Sequence, residues 1–191
     1  MHLSWISIIR LGLVQASLGA IVVLTTSTLN RLMVVEFALP ATLPGILVGL
    51  HYGVQLSRPR WGFISDLEGQ RTKWILRGVG VLGIGALMAA GGVLLFVTSF
   101  WIGLFVSLVA YTLIGIGVGA GGTSMLALLA TATAPRRRAA AATITWLMMI
   151  FGIAMTAVIA GAALDPYSPQ RLMMVVAAVV LATWIISTAA V

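Results

Sequence analysis

From Trp101 to Ala132 the chain reads WIGLFVSLVAYTLIGIGVGAGGTSMLALLATA, 32 residues without a charged side chain. A helix rises about 1.5 Å per residue, so roughly 20 apolar residues cross the ~30 Å hydrocarbon core of a bilayer. This stretch is long enough to do so. Of the 191 residues, 61% are hydrophobic and 8% charged, and the mean hydropathy is +1.13. Apolar side chains in that proportion exceed what one soluble core can hide from water, which excludes a water-soluble domain. Disorder requires low hydrophobicity. A disulfide scaffold requires cysteine, and there is none. The reading is an all-α polytopic membrane protein.

Charges, prolines and glycines divide the chain into six apolar runs, expected as spans at about 8–35, 40–63, 74–97, 101–132, 139–164 and 171–191. Asn30 and Arg31 interrupt the first only near its far end. Ala134-Pro135-Arg136-Arg137-Arg138 separates the fourth from the fifth. Asp165-Pro166-Tyr167-Ser168-Pro169, with two prolines of fixed φ, makes the turn before the sixth. The first run is too long for a signal peptide and lacks a small-residue cleavage site. The last reaches Val191 with no polar tail. Residues 1–191 are therefore expected to form an N-terminal six-helix domain, with a C-terminal half absent.

Eleven Lys and Arg against four Asp and Glu give a formal net charge of +7. In a soluble chain this balance suggests nucleic acid. Here the positive residues sit in short loops, where they set topology, and no nucleic-acid partner is expected. A cytoplasmic N-terminus places Arg10, Arg58, Arg60, Arg71, Lys73, Arg77 and Arg136 to Arg138 inside, nine of the 11, and leaves Arg31 and Arg171 outside. The run 136–138 opens the fifth span, where the helix dipole disfavours cations, so topology is the stronger constraint. Trp5, Trp61, Trp74, Trp101 and Tyr167 fall near span ends, the depth that amphipathic rings favour.

Lipid supplies no hydrophobic drive between helices, so spans meet where small residues let backbones approach. In the fourth span Gly115, Gly119 and Gly122 share a face. Gly12, Ala16 and Ala20 form a stripe in the first span, and Gly78, Gly85, Ala89 and Gly92 another in the third. These grooves serve helix packing, and their shape also suits a flat pigment, a carotenoid or a lipid tail. The glycine series is not a dinucleotide loop, which needs a preceding strand and solvated phosphates.

Between the second and third spans stands Gly62-Phe63-Ile64-Ser65-Asp66-Leu67-Glu68-Gly69-Gln70-Arg71-Thr72-Lys73. A carboxylate close to several cations and a helix end can make charge-assisted hydrogen bonds that hold two helices in one arrangement, or can simply be solvated. The stretch resembles the cytoplasmic loop signature of the major facilitator superfamily, with Gly62, Asp66, Gly69, Arg71 and Lys73 in register and Leu67 replacing a residue often basic. The flanks Asn30-Arg31-Leu32-Met33-Val34-Val35-Glu36, Leu39-Pro40-Ala41 and His51-Tyr52-Gly53-Val54-Gln55-Leu56-Ser57-Arg58-Pro59-Arg60-Trp61-Gly62 are similar to the PucC/LhaA family, the bacteriochlorophyll-delivery branch of that superfamily. The resemblance implies half of a twelve-helix bundle in the bacterial photosynthetic inner membrane. It also implies a role in assembling light-harvesting antenna polypeptides or the reaction centre, with bacteriochlorophyll as cargo or cofactor.

Polar groups inside a bilayer are costly and so mark candidate sites. His51 lies roughly 16 Å along its span from Pro40, near mid-membrane. A neutral imidazole there suits the magnesium of a bacteriochlorophyll. The plainer reading is a hydrogen bond to Gln15, Gln55, a hydroxyl or a backbone carbonyl. Asn30, Arg31 and Glu36 cluster at the outer end of the first span, where Arg31 and Glu36 either pair, meet pigment substituents or snorkel to the interface. Without cysteine, paired histidines at ligand spacing or a carboxylate pair inside a span, catalysis is not expected. The expected function is a non-catalytic assembly factor that binds or delivers bacteriochlorophyll. The alternatives are a secondary transporter of a small solute, for which no span carries a mid-membrane acid, and a permanent subunit of a photosynthetic complex.

Overall fold

A computed structural model describes residues 3–191. Helix α1 (Trp5–Val23) starts where Ser4 Oγ accepts the Ser7 amide at 3.1 Å, satisfying an otherwise orphan donor. One π-helical turn, Leu24–Thr28, joins it to α2 (Leu29–Val35), so the first pass is a continuous helix from Trp5 to Val35. Hydroxyls crowd that turn: Thr25 Oγ1 donates to the carbonyls of Ile21 and Val22, and Thr26 Oγ1 to Val22. Such back-bonding competes with the helical ladder. The interruption therefore falls at Leu24–Thr28 and not at Asn30 and Arg31.

The second pass, expected over 40–63, is broken. It consists of α3 (Thr42–Val54), a 3-10 turn at Gln55–Ser57 and α4 (Arg58–Glu68). Pro59 has no amide hydrogen, and its ring crowds the carbonyl four residues back, at Gln55, which is where the α-helix gives way. Gly69 then ends α4 at φ 63°, a left-handed position that glycine adopts without a Cβ penalty.

The remaining passes are α5 (Arg71–Leu95), α6 (Phe100–Ala132), α7 (Arg138–Ala163, preceded by a 3-10 turn at Pro135–Arg137) and α8 (Pro169–Ala190). Among the described residues, five passes are long and apolar enough to cross a membrane: Trp5–Val35, Arg71–Leu95, Phe100–Ala132, Pro135–Ala163 and Pro169–Ala190. Broken and bearing Arg58, Arg60, Asp66 and Glu68, the second does not meet that description, yet it still runs from one end of the bundle to the other. At one end the Leu3 amide donates to Ala132 O (2.9 Å), Arg71 Nη1 to Ala127 O (3.3 Å) and Arg10 Nε to Ala190 O (3.1 Å). At the other end the rings of Phe37 and Tyr167 meet edge to face, 6.1 Å between centroids.

The α5–α6 pair is the tightest part of the core. A methyl on Gly117 would lie 2.5 Å from the Leu82 nitrogen, and one on Gly85 would lie 3.0 Å from the Ala110 carbonyl oxygen, so backbone packs directly on backbone. Helix α7 is peripheral. It touches α1 where the backbone of Gly152 faces that of Ala16 and Gly12 sits under Met148, while Trp146, Phe151 and Val158 remain exposed.

Candidate functional site

An open groove of about 810 Å³ lies between α1, α7 and α8. It exists because α7 leans on α1 through small residues, leaving Ala16, Ala20 and Gly152 as a low floor between walls that include Phe151, Ile186 and Ala182. Its hydroxyls are largely turned inward: Ser17 Oγ donates to Leu13 O (2.9 Å) and Thr183 Oγ1 to Val180 O (2.9 Å). The lining thus offers dispersion contact and no charge. Its volume falls in the range of ligand pockets, ~300–1,000 Å³. The small-residue stripe of the first span announced part of this groove; the contribution of α8 was invisible, because exposed Ala178 and Ala182 carry no periodic signal of their own.

The loop after α4 brings the motif residues Asp66, Gly69 and Arg71 together. Arg71 donates to Asp66 Oδ1 through Nη2 (2.7 Å) and Nε (3.1 Å), while its Nη1 reaches Thr131 Oγ1 and Ala127 O in the last turns of α6. Gly69 supplies the left-handed turn that brings Arg71 back over Asp66, and a Cβ on Gly62 would touch Thr123 Cγ2 of α6 at 3.3 Å. Four motif residues therefore tie α4 and α5 to the C-terminal end of α6, where a cation suits the helix dipole. Lys73 stays exposed. Beside it Glu68 Oε2 accepts Trp74 Nε1 at 2.8 Å.

His51 is fully buried against α6, its carbonyl facing Gly115. Its Nε2 pairs with Gln55 Nε2 at 2.8 Å, and Gln55 Oε1 in turn accepts Arg58 Nη2, a string of polar groups across the 3-10 break. Nδ1 has no partner among the described residues. Neither ring nitrogen is open to the surface. Of the glycine face, Gly115 and Gly119 meet α3 and α4, whereas Gly122 faces Leu18 of α1.

Asn30, Arg31 and Glu36 lie at the opposite end from the loop motif. The ion pair among the described residues is Arg71 with Asp66, so Arg31 and Glu36 do not pair, and Arg31 is exposed as snorkelling requires. Glu36 acts instead on Tyr167: burial first, then this carboxylate, raises the phenol above its ordinary value. Sequence reasoning missed the buried bond from Tyr111 Oη to the carbonyl of Thr25, 2.7 Å long, which crosses from α6 to the π turn. A lone tyrosine inside a charge-free run was the available signal.

With this geometry in hand, comparison with known proteins places the chain. The model of the PUCC protein family matches residues 28–191. The "Bacteriochlorophyll synthase 44.5 kDa chain" of Rhodobacter capsulatus is 62% identical over 191 residues, covering 100% of this chain and 45% of that protein. "Protein PucC" of Rhodobacter capsulatus is 30% identical over 196 residues, covering 96% of this chain and 42% of its own length. Its Cereibacter sphaeroides namesake is 32% identical over 192 residues, covering 94% and 42%. The chain thus spans less than half the length of the curated relatives it matches. No solved structure matches it. With 28–191 inside the family model and a relative at 62% identity, this chain belongs to the PUCC protein family.

Proposed function

We propose that this chain is one six-pass half of a non-catalytic assembly factor of the bacterial photosynthetic membrane, with a cytoplasmic N-terminus, and that it holds bacteriochlorophyll for transfer to antenna polypeptides or the reaction centre. The observation that carries this reading is the apolar groove of about 810 Å³ between α1, α7 and α8. A chlorin is flat, and its esterifying tail is an apolar chain; a slot floored by Ala16, Ala20 and Gly152 and lacking charge suits both by dispersion contact. The name of the 62%-identical relative supports the choice of pigment. In this reading His51 braces α3 against α6, and the loop network of Asp66 and Arg71 fixes the basic end of the bundle.

The test is purification in mild detergent from cells that are making pigment. Bacteriochlorophyll retained at a fixed ratio, with antenna subunits alongside, is the expected result. A colourless, partner-free protein refutes the proposal, as does vigorous flux of a small solute through reconstituted vesicles.

A further inference from the structure

Charge is distributed very unevenly along this bundle. One end gathers Arg10, Arg58, Arg60, Arg71, Lys73, Arg77, Arg136, Arg137 and Arg138 with only Asp66 and Glu68, nine cations against two acids, a formal +7. The other end carries Arg31 and Arg171 with Glu36 and Asp165, which cancel. Both acids at the basic end are engaged, Asp66 by Arg71 and Glu68 by Trp74. Several cations are engaged too: Arg10 donates to the carbonyls of Ala189 and Ala190, and Arg138 Nε to Thr133 O at 3.3 Å.

Arg136 and Arg137 are exposed like Arg10 and Arg138 but differ from them in lining a concavity of about 510 Å³, together with Leu3, Ser4, Ala134 and Pro135. No carboxylate lines it among the described residues. Arg137 Cζ stands 5.1 Å from the ring centroid of Trp5, which opens the first membrane pass and is itself exposed. A tryptophan there sits at the headgroup level of a bilayer, which puts the concavity at the depth of lipid phosphates. Leu3 and Pro135 give it an apolar side, as a group joined to acyl chains requires.

We infer that this concavity seats the phosphate of an anionic phospholipid, held by the guanidinium groups of Arg136 and Arg137. The planar fork of arginine matches phosphate oxygens in pairs. Charge complementarity selects an acidic headgroup, and the depth set by Trp5 selects a lipid over a soluble anion or an acidic protein segment. The inference needs only that the chain resides in a membrane, so it stands apart from the pigment reading.

The test is binding of phosphatidylglycerol and phosphatidylcholine to the purified chain in neutral detergent, followed by native mass spectrometry. Phosphatidylglycerol should be retained and phosphatidylcholine not. The double variant Arg136→Gln, Arg137→Gln should weaken phosphatidylglycerol roughly thirtyfold, taking the usual contribution of a cation at an anionic surface for each arginine. Arg60→Gln with Lys73→Gln removes the same charge from the same end and should change it about threefold or less, as diffuse attraction alone predicts. Equal losses in the two variants overturn the site. On the unmodified chain, brominated phosphatidylglycerol should quench tryptophan emission, and Trp5→Phe should lose part of that quenching; identical quenching without Trp5 overturns it independently of any arginine variant. Displacement of the lipid by inorganic phosphate or by polyglutamate also overturns the lipid assignment.

Discussion

The phenol of Tyr111 donates a 2.7 Å hydrogen bond to the backbone carbonyl of Thr25, inside the π turn of the first pass. Both residues are fully buried. A π turn shifts the helical register and leaves carbonyls in need of donors, and Tyr111 supplies one from α6.

Tyr111→Phe removes that donor and leaves the carbonyl buried. We expect a loss of about 1 kcal/mol, the scale of interhelical hydrogen bonds in membranes, read as a lower midpoint in denaturant titration. Thr25→Val should cost less, because the bond uses the backbone of Thr25 and not its side chain. A larger loss in the valine variant would contradict this account.

Arg71→Lys keeps the charge but cannot reach Asp66 and α6 together. It should raise hydrogen exchange in the last turns of α6 and in the 66–71 loop. Asp66→Asn should do less: the Asp66 side chain is 55% exposed, and solvent-exposed ion pairs contribute only ~0–1 kcal/mol. Equal protection in Arg71→Lys and the unmodified chain would show that the network holds nothing in place.

Tyr167 should titrate above its ordinary value, because burial and then Glu36 disfavour the phenolate. The folded state holds this proton more tightly than the unfolded chain does. The site therefore costs no stability below the unfolded phenol value of about 10, and stability falls as pH climbs beyond it. Absorbance near the phenolate band measures the shift. Glu36→Gln should reduce it without abolishing it, burial being the larger cause.

Gly117→Ala should block folding or strongly destabilise the bundle, since its Cβ would stand 2.5 Å from the Leu82 nitrogen. Gly49→Ala meets nothing within 4 Å and should stabilise α3 by up to about 1 kcal/mol, the helix-propensity gap between glycine and alanine. Detergent-solubilised yield and thermal midpoint distinguish the two; similar behaviour would contradict the packing.

Ala182→Phe fills the groove from the exposed side of α8 and should abolish pigment retention with helicity unchanged. His51→Leu should leave pigment content intact while lowering stability, because Gln55 loses its buried partner. Pigment lost from the leucine variant alone would move the binding site to α3.

The five helices long and apolar enough to cross a membrane were legible because hydrophobic length is dictated by bilayer thickness. The break in the second pass was not. Its run was apolar enough to suggest one helix, but Pro59 acts on a carbonyl four residues earlier, an effect that hydropathy does not register. The loop motif was legible as spacing, yet its principal partners, Ala127 and Thr131, lie some 60 residues away and emerge only when α5 and α6 close on each other. Gly115 and Gly119 were read as one face with Gly122, whereas the structure divides them between neighbours; a helix surrounded on several sides has no single buried stripe.

The broken second pass has a consequence for how the protein is made. Helix α3 supplies only 13 α-helical residues before the break, short of the roughly 20 that cross the hydrocarbon core, and α4 carries Arg58, Arg60, Asp66 and Glu68, so this segment is a poor candidate for partitioning into lipid unaided. The slot that receives it is walled by Gly115 and Gly119 of α6, which the ribosome has not yet synthesised when α3 and α4 emerge. We expect this segment to linger at the membrane surface during translation and to be drawn in once the later helices arrive, so that biogenesis follows an order different from that of the polypeptide.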